Sequence, residues 1–168
     1  LNWADHVGGF VEMKSHIILN HLLVGDYTLE FGQGITLWGS YSFSKSSDAV
    51  SGMKKKGDDI DSYNSVNEVQ YFRGVAGKLK LPSSIGDFSL FGFYSNNSID
   101  ASIDTTLNQL SSEYEDGYHR TQSEIDRKNS GKERLYGGRL FFESKFFGTT
   151  KLGLTYYNSE YSKPFEYK

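Results

Sequence analysis

Three sets of residues in this sequence have the types that bear chemistry. The densest is Asp58-Asp59-Ile60-Asp61, followed by Asn64, Asn67 and Glu68. Grouped carboxylate and amide oxygens are what a Ca²⁺ ion takes as ligands. A Ca²⁺ loop of the EF-hand type needs Gly at its sixth place and Glu at its twelfth. Counted from Asp59, those places hold Asn64 and Gln70, so a solvated acidic loop is the simpler reading. The second set is Gly32-Gln33-Gly34, which looks like part of a phosphate cradle. No GxGxxG and no Lys-Ser/Thr pair completes it, and a tight turn using glycine at positive φ explains it. The third is the histidines, His6, His16, His21 and His119. They lack HExxH-type spacing, and polar positions in a β-sheet account for them. His6 and His21 fall on adjacent strands. No GxSxG elbow occurs either. These residues nominate no catalytic, metal or cofactor site, and the chain reads as a non-enzyme.

Composition narrows the class further. The 168 residues include no Cys, so disulfides, thiolate metal sites and thiol catalysis are excluded. The net charge of −3 argues against a nucleic-acid binder. Twelve Tyr and twelve Phe exclude a disordered chain. No apolar run approaches the length of a membrane helix. The polar mean hydropathy is compatible with a membrane protein in one case, a β-barrel, whose alternating strands hide their apolarity from averages.

Alternation is what this sequence displays. Leu23, Gly25, Tyr27, Leu29 and Phe31 oppose Asp26, Thr28 and Glu30. Ile35, Leu37, Gly39, Tyr41 and Phe43 oppose Thr36, Trp38, Ser40 and Ser42. Tyr136, Gly138, Leu140 and Phe142 oppose Arg139, Glu143 and Lys145. Leu152, Leu154 and Tyr156 oppose Lys151 and Thr155. Strands are expected at about 3–14, 17–31, 35–43, 67–81, 86–99, 133–147 and 149–162. Arg73 breaks the apolar face of its strand. The connections at 32–34, 82–85 and Gly148 are tight and share one end of an up-and-down meander. Those at 44–66 and 100–132 are long, polar and share the other end. Ser15-His16 is the one short connection on the long-loop side. Outer-membrane barrels sort their loops in this way. Thr121-Gln122-Ser123-Glu124 fits a capping box that opens a helix over 122–130. A second helix is expected between Ser47 or Asp48 and Gly57.

Gly25-Asp26-Tyr27-Thr28-Leu29-Glu30-Phe31-Gly32-Gln33-Gly34-Ile35-Thr36-Leu37-Trp38 resembles a "GDYxLxFGQGLxLW" signature. That signature belongs to large outer-membrane β-barrels of Bacteroidetes-type Gram-negative bacteria, labelled helix-hairpin-helix proteins for a domain ahead of the barrel. Tyr63–Ala76 with Phe72-Arg73-Gly74, Phe93–Asn96, His119–Ile125 and Tyr136-Gly137-Gly138 resemble further blocks in the same order. The resemblance spans about residues 23–160 and implies location and fold rather than activity. The helix-hairpin-helix part lies outside it, so no DNA-contacting residue carries over. It also gives Arg73 a reading. A bulge near Gly74 would turn it to a polar lumen, or it sits at the rim and snorkels.

The expectation is an all-β, antiparallel up-and-down meander with short helices in its long loops. Residues 1–168 form one transmembrane β-barrel or a segment of one, and the odd strand number suggests a fragment of a larger, porin-like barrel. Leu29, Leu37, Tyr41, Leu140, Phe142 and Leu154 are expected to face lipid. Asp26, Thr28, Glu30, Arg73, Arg139, Glu143 and Lys151 are expected to face a lumen of mixed charge and weak ion selectivity. Gly32, Gln33 and Gly34 form a turn. The partners implied are the bilayer of a bacterial outer membrane and proteins that meet the long loops, with no nucleic acid and no cofactor. Function would be passive or gated transport, or a scaffold for a surface machine. The rival readings are a soluble or cell-surface β-protein binding glycans or proteins through aromatics and loops, and a barrel enzyme with a rim cluster.

Overall fold

A computed structural model describes residues 8–32, 34, 37, 57, 59–64, 71–104, 107–114, 121–144, 146 and 149–165. It contains β1 (Phe10–Lys14), β2 (Leu19–Glu30), β3 (Asp59–Ser62), β4 (Phe72–Ser83), β5 (Gly86–Asp104), β6 (Gln109–Tyr114), α1 (Gln122–Arg127), β7 (Gly131–Ser144) and β8 (Thr150–Tyr161). The fold is all-β and antiparallel. Six strands lie side by side in the order β1-β2-β4-β5-β7-β8, with β3 attached to β2 and β6 to β5. The sheet is open, and β1 and β8 are its edges.

The long strands follow from unbroken alternation. β5 runs 19 residues and β7 runs 14, and their register holds without a shift from Asp87↔Glu143 to Ile99↔Gly131. Prolines do not interrupt them. Pro82 stands two residues before the Ser84-Ile85 turn, at the end of β4, where a missing N–H costs least.

One expected strand changes the topology. β2 pairs directly with β4, from Leu19↔Leu79 to Tyr27↔Phe72, so nothing lies between them. Of the expected strand 35–43 only Leu37 is among the described residues, and it is a buried core residue. With β2 paired directly to β4, the connections alternate strictly. Those at 15–18, 84–85 and 145–149 are short and share one end. Those at 31–71 and 105–130 are long and share the other. The Ser15-His16 turn thus joins the short ones.

The long connections carry structure of their own. β3 falls inside the stretch expected to be loop and pairs Leu29 with Ile60. β5 runs on to Asp104 and folds back as β6. α1 has the expected capping box: Glu124 N donates to Thr121 Oγ1 at 3.3 Å, and Thr121 N donates to Glu124 Oε2 at 2.8 Å. The helix stops at Arg127, earlier than expected, where Lys128 caps it and Asn129 turns to φ 54°. The expected helix before Gly57 lies outside the described residues.

The core occupies one face of the sheet, at the long-connection end. Leu23, Tyr27, Leu29, Ile60, Ala76, Phe91, Phe93 and Leu135 project from paired strands, and Phe31 and Leu37 from the chain after β2 join their cluster. Phe31 meets Phe91 edge-on at 5.4 Å and tilts on Phe93 at 6.0 Å. The chain after β2 therefore folds back over this inner face. Gly32 (φ 65°) and Gly34 (φ 75°) make the reversal, with Gly34 N donating to Phe31 O and Phe31 N to Leu37 O.

Candidate functional site

The two faces of the sheet differ in kind, and register shows how. On the outer face, Val11, Val24, Val75, Tyr94, Tyr136 and Asn158 form one row across all six strands. The next row is Met13, Leu22, Gly77, Gly92, Gly138 and Tyr156. Below it come Leu19, Leu79, Leu90, Leu140 and Leu154, and then Leu81, Phe88, Phe142 and Leu152. No charged side chain interrupts these four rows. Every Asp, Glu, Lys, Arg and His of the same strand stretches sits on the opposite face: Glu12, Lys14, His21, Lys78, Lys80, Asp87, Arg139, Glu143 and Lys151.

This apolar face is uncovered among the described residues. Val11, Leu152, Leu154 and Tyr156 are 62–75% exposed, and Val24, Leu81, Leu90 and Leu140 are 43–49% exposed. Together the rows present on the order of 1,000 Å² of apolar surface, against a few hundred for the largest patch of a soluble monomer. The outer face of β4 is uncharged from Val75 to Ser83, a span of eight residue steps. At ~3.4 Å a step and a strand tilt of ~40°, it projects to roughly 21 Å.

The borders of the stretch are defined too. Toward the long connections the row beyond Tyr94 and Tyr136 is charged, with Asp26–Arg73 on β2–β4 and Arg134–Glu160 on β7–β8. The Tyr136 hydroxyl donates to Glu160 Oε1 at 3.1 Å, so its ring lies with the apolar rows and its tip with the charges. At the other border Phe88 and Phe142 pack at 4.7 Å. The short turns beyond expose Ile17, Ile18, Ile85 and Phe146.

The inner face is polar and internally paired. Glu12 Oε1 stands 2.8 Å from both Lys14 Nζ and His21 Nε2. Lys78 Nζ lies 2.7 Å from Asp59 Oδ2 and 4.8 Å over the Phe91 ring. Lys151 pairs with Glu143 at 3.1 Å. Arg139 is 8% exposed and sits between the rings of Phe31 (4.9 Å) and Phe141 (5.2 Å). Its Nε is buried without an acceptor.

The residues expected at functional positions divide as follows. Leu140, Phe142 and Leu154 lie in the outer rows, and Arg139, Glu143 and Lys151 lie on the inner face. On β2 the named residues fall differently from those on β7 and β8. Leu29 and Leu37, expected on the lipid side, are in the core with Tyr27 and Phe31. Asp26 and Arg73, expected in the lumen, share the face of Val24 and Val75 at its charged border. Thr28 and Glu30 follow Asp26 on the same face of β2, beyond that border. No bulge occurs at Gly74; the one register shift in this strand pair is at Leu19/His21. The reason is that β2 is apolar on both faces at Leu22-Leu23-Val24, and its more aromatic face is the one the following chain covers. Tyr41 and Gln33 lie outside the described residues. Asp59 and Asp61 do not converge, since Asp59 pairs with Lys78 and Asp61 Oδ1 accepts from Ser62 N. Among the described residues no three His, Asp or Glu side chains group to hold a metal. His21 meets Glu12, and His6 lies outside the described residues.

Compared with protein families, curated proteins and solved structures, the chain matches none of them.

Proposed function

We propose that this sheet is part of the wall of a bacterial outer-membrane β-barrel, with lipid on its outer face and a solute-conducting lumen on its inner one. The observation that carries the reading is the segregation of charge. Nine ionisable residues all lie on one face, behind four uncharged rows on the other. A projected height of roughly 21 Å is close to the ~25 Å apolar belt of such barrels. Tyrosines tipped toward a charged border suit a lipid–water boundary. Long connections at one end and short turns at the other suit the external and periplasmic sides. The resemblance of residues 25–38 to the barrel signature points the same way.

In this reading the edges of β1 and β8 pair with further strands, because an unpaired backbone edge in lipid costs several kcal/mol per group. The chain folded over the inner face narrows the lumen there. The function is passage of solutes past that constriction, and no enzymatic step is part of it.

The test is expression of the full chain with an export signal, followed by membrane fractionation and a gel of boiled against unboiled samples. Fractionation with the outer membrane and a boiling-dependent mobility shift is the expected result. A soluble protein without a shift overturns the reading.

A further inference from the structure

We propose that Arg139 is an anion-binding residue of the inner face, taking the carboxylate or phosphate group of a small solute. Other buried or half-buried basic side chains have carboxylate partners. Lys78 has Asp59 at 2.7 Å, and His21 has Glu12 at 2.8 Å. Arg139 is more than nine-tenths buried, yet among the described residues no carboxylate forms an ion pair with it and its Nε has no acceptor. Asp59 acts on it through space, but the Asp59 oxygen is held by Lys78. Buried donors are normally matched with acceptors, and charged ones above all.

The surroundings say which acceptor fits. The Phe31 and Phe141 rings both lie about 5 Å from the guanidinium carbon, and a partner that approaches in the guanidinium plane keeps both ring contacts. Two glycines lie near its ends and add no side chain there: a Cβ on Gly153 would stand 2.9 Å from Nη2, and one on Gly32 would stand 3.8 Å from Nη1. Thr155, directly across on β8, brings a hydroxyl to the same register position. In-plane, two-point approach to a guanidinium is the geometry of a carboxylate or phosphate. The proposal rests on the lumen reading only for the route by which a solute arrives; binding itself does not depend on a barrel.

The experiment is equilibrium dialysis of the purified full chain in detergent, with labelled acetate and labelled inorganic phosphate at constant ionic strength set by chloride. Saturable binding of either anion, weakened at least tenfold by Arg139→Gln and at least threefold by Arg139→Lys, is expected. Which anion binds tells carboxylate from phosphate. Because Arg139→Gln could misfold, wild-type protein is also treated with phenylglyoxal and the modified arginines are mapped by mass spectrometry. The bound anion should protect Arg139 at least fivefold and leave Arg134, which is exposed, unprotected. No saturable binding of either anion, or binding indifferent to a folded Arg139→Gln, overturns the proposal. Failure of the barrel reading appears separately, in the fractionation, and leaves this titration interpretable.

Discussion

Arg73 grips Asp26 across the β2–β4 pair with two hydrogen bonds, Nε to Oδ1 at 2.6 Å and Nη2 to Oδ2 at 3.0 Å. The two partners are unequally placed: the Asp26 side chain is 1% exposed and that of Arg73 is 44% exposed. Oδ2 also accepts from Gly9 N at 3.0 Å, so the carboxylate joins the approach to β1 to the sheet. Removing the arginine strands a buried charge, whereas removing the carboxylate leaves a guanidinium that water can reach. Arg73→Gln should therefore cost about 3 kcal/mol and Asp26→Asn only about 1–2 kcal/mol. Denaturant midpoints of the two variants would show the order, and equal losses would mean the pair is not the anchor it is argued to be.

The faces of β7 and β8 can be read directly, because the chain has no native cysteine. Single cysteines at Leu140, Phe142 and Leu154 carrying an environment-sensitive dye should emit as in an apolar medium and be quenched by brominated lipid in vesicles. Cysteines at Arg139, Phe141 and Glu143 should escape lipid quenching. A pattern without this period of two would dismiss the outer face as a lipid face.

Leu29 and Leu154 look equivalent by residue type and should behave oppositely. Leu29 is 1% exposed in the core, so Leu29→Ala should destabilise by about 2–5 kcal/mol. Leu154 is 73% exposed, and Leu154→Arg should impair folding into bilayers by ~2–4 kcal/mol if the outer rows lie at the midplane. Urea titrations of vesicle-refolded protein measure both.

Two glycines offer a matched pair. Gly25 has φ 122°, and a Cβ there would run into the Gly9 carbonyl and the Phe10 Cα where β1 closes on β2. Gly92 has open space around its missing Cβ and lies in the outer rows. Gly25→Ala should cost at least about 2 kcal/mol, and Gly92→Ala should stay within about 0.5 kcal/mol. Parallel unfolding curves measure both, and equal losses would mean that the close β1–β2 approach does not limit residue 25.

How far the residues foretold these arrangements depends on the strand. Around Leu140 and Leu154 apolar and charged positions alternate cleanly, and their faces were legible. β2 was not, because Leu22, Leu23 and Val24 satisfy either face; only the chain returning as Phe31, Leu37 and Ile60 decides which side is covered. That return is a long-range event that no local period encodes. The helix at 122–127 was legible because a capping box is local. β3 was not, because four residues with one apolar side chain, Ile60, acquire their strand character from Leu29 opposite. The isolation of Arg139 was also out of reach. Its register neighbours are visible in the sequence once the strands are paired, but the commitment of Asp59 to Lys78 is not.

The strict sorting of connections gives the sheet a leading end. Three hairpin tips, at 15–18, 84–85 and 145–149, point one way and present Ile17, Ile18, Ile85 and Phe146. The opposite end holds the charged stretches between β2 and β4 and between β5 and β7. A bilayer entered from the greasy tips needs to pass little charge, while entry from the other end would drag many ions through hydrocarbon. In the proposed barrel wall, this asymmetry would set the orientation across the bilayer as a difference in crossing barriers, before any lumen exists.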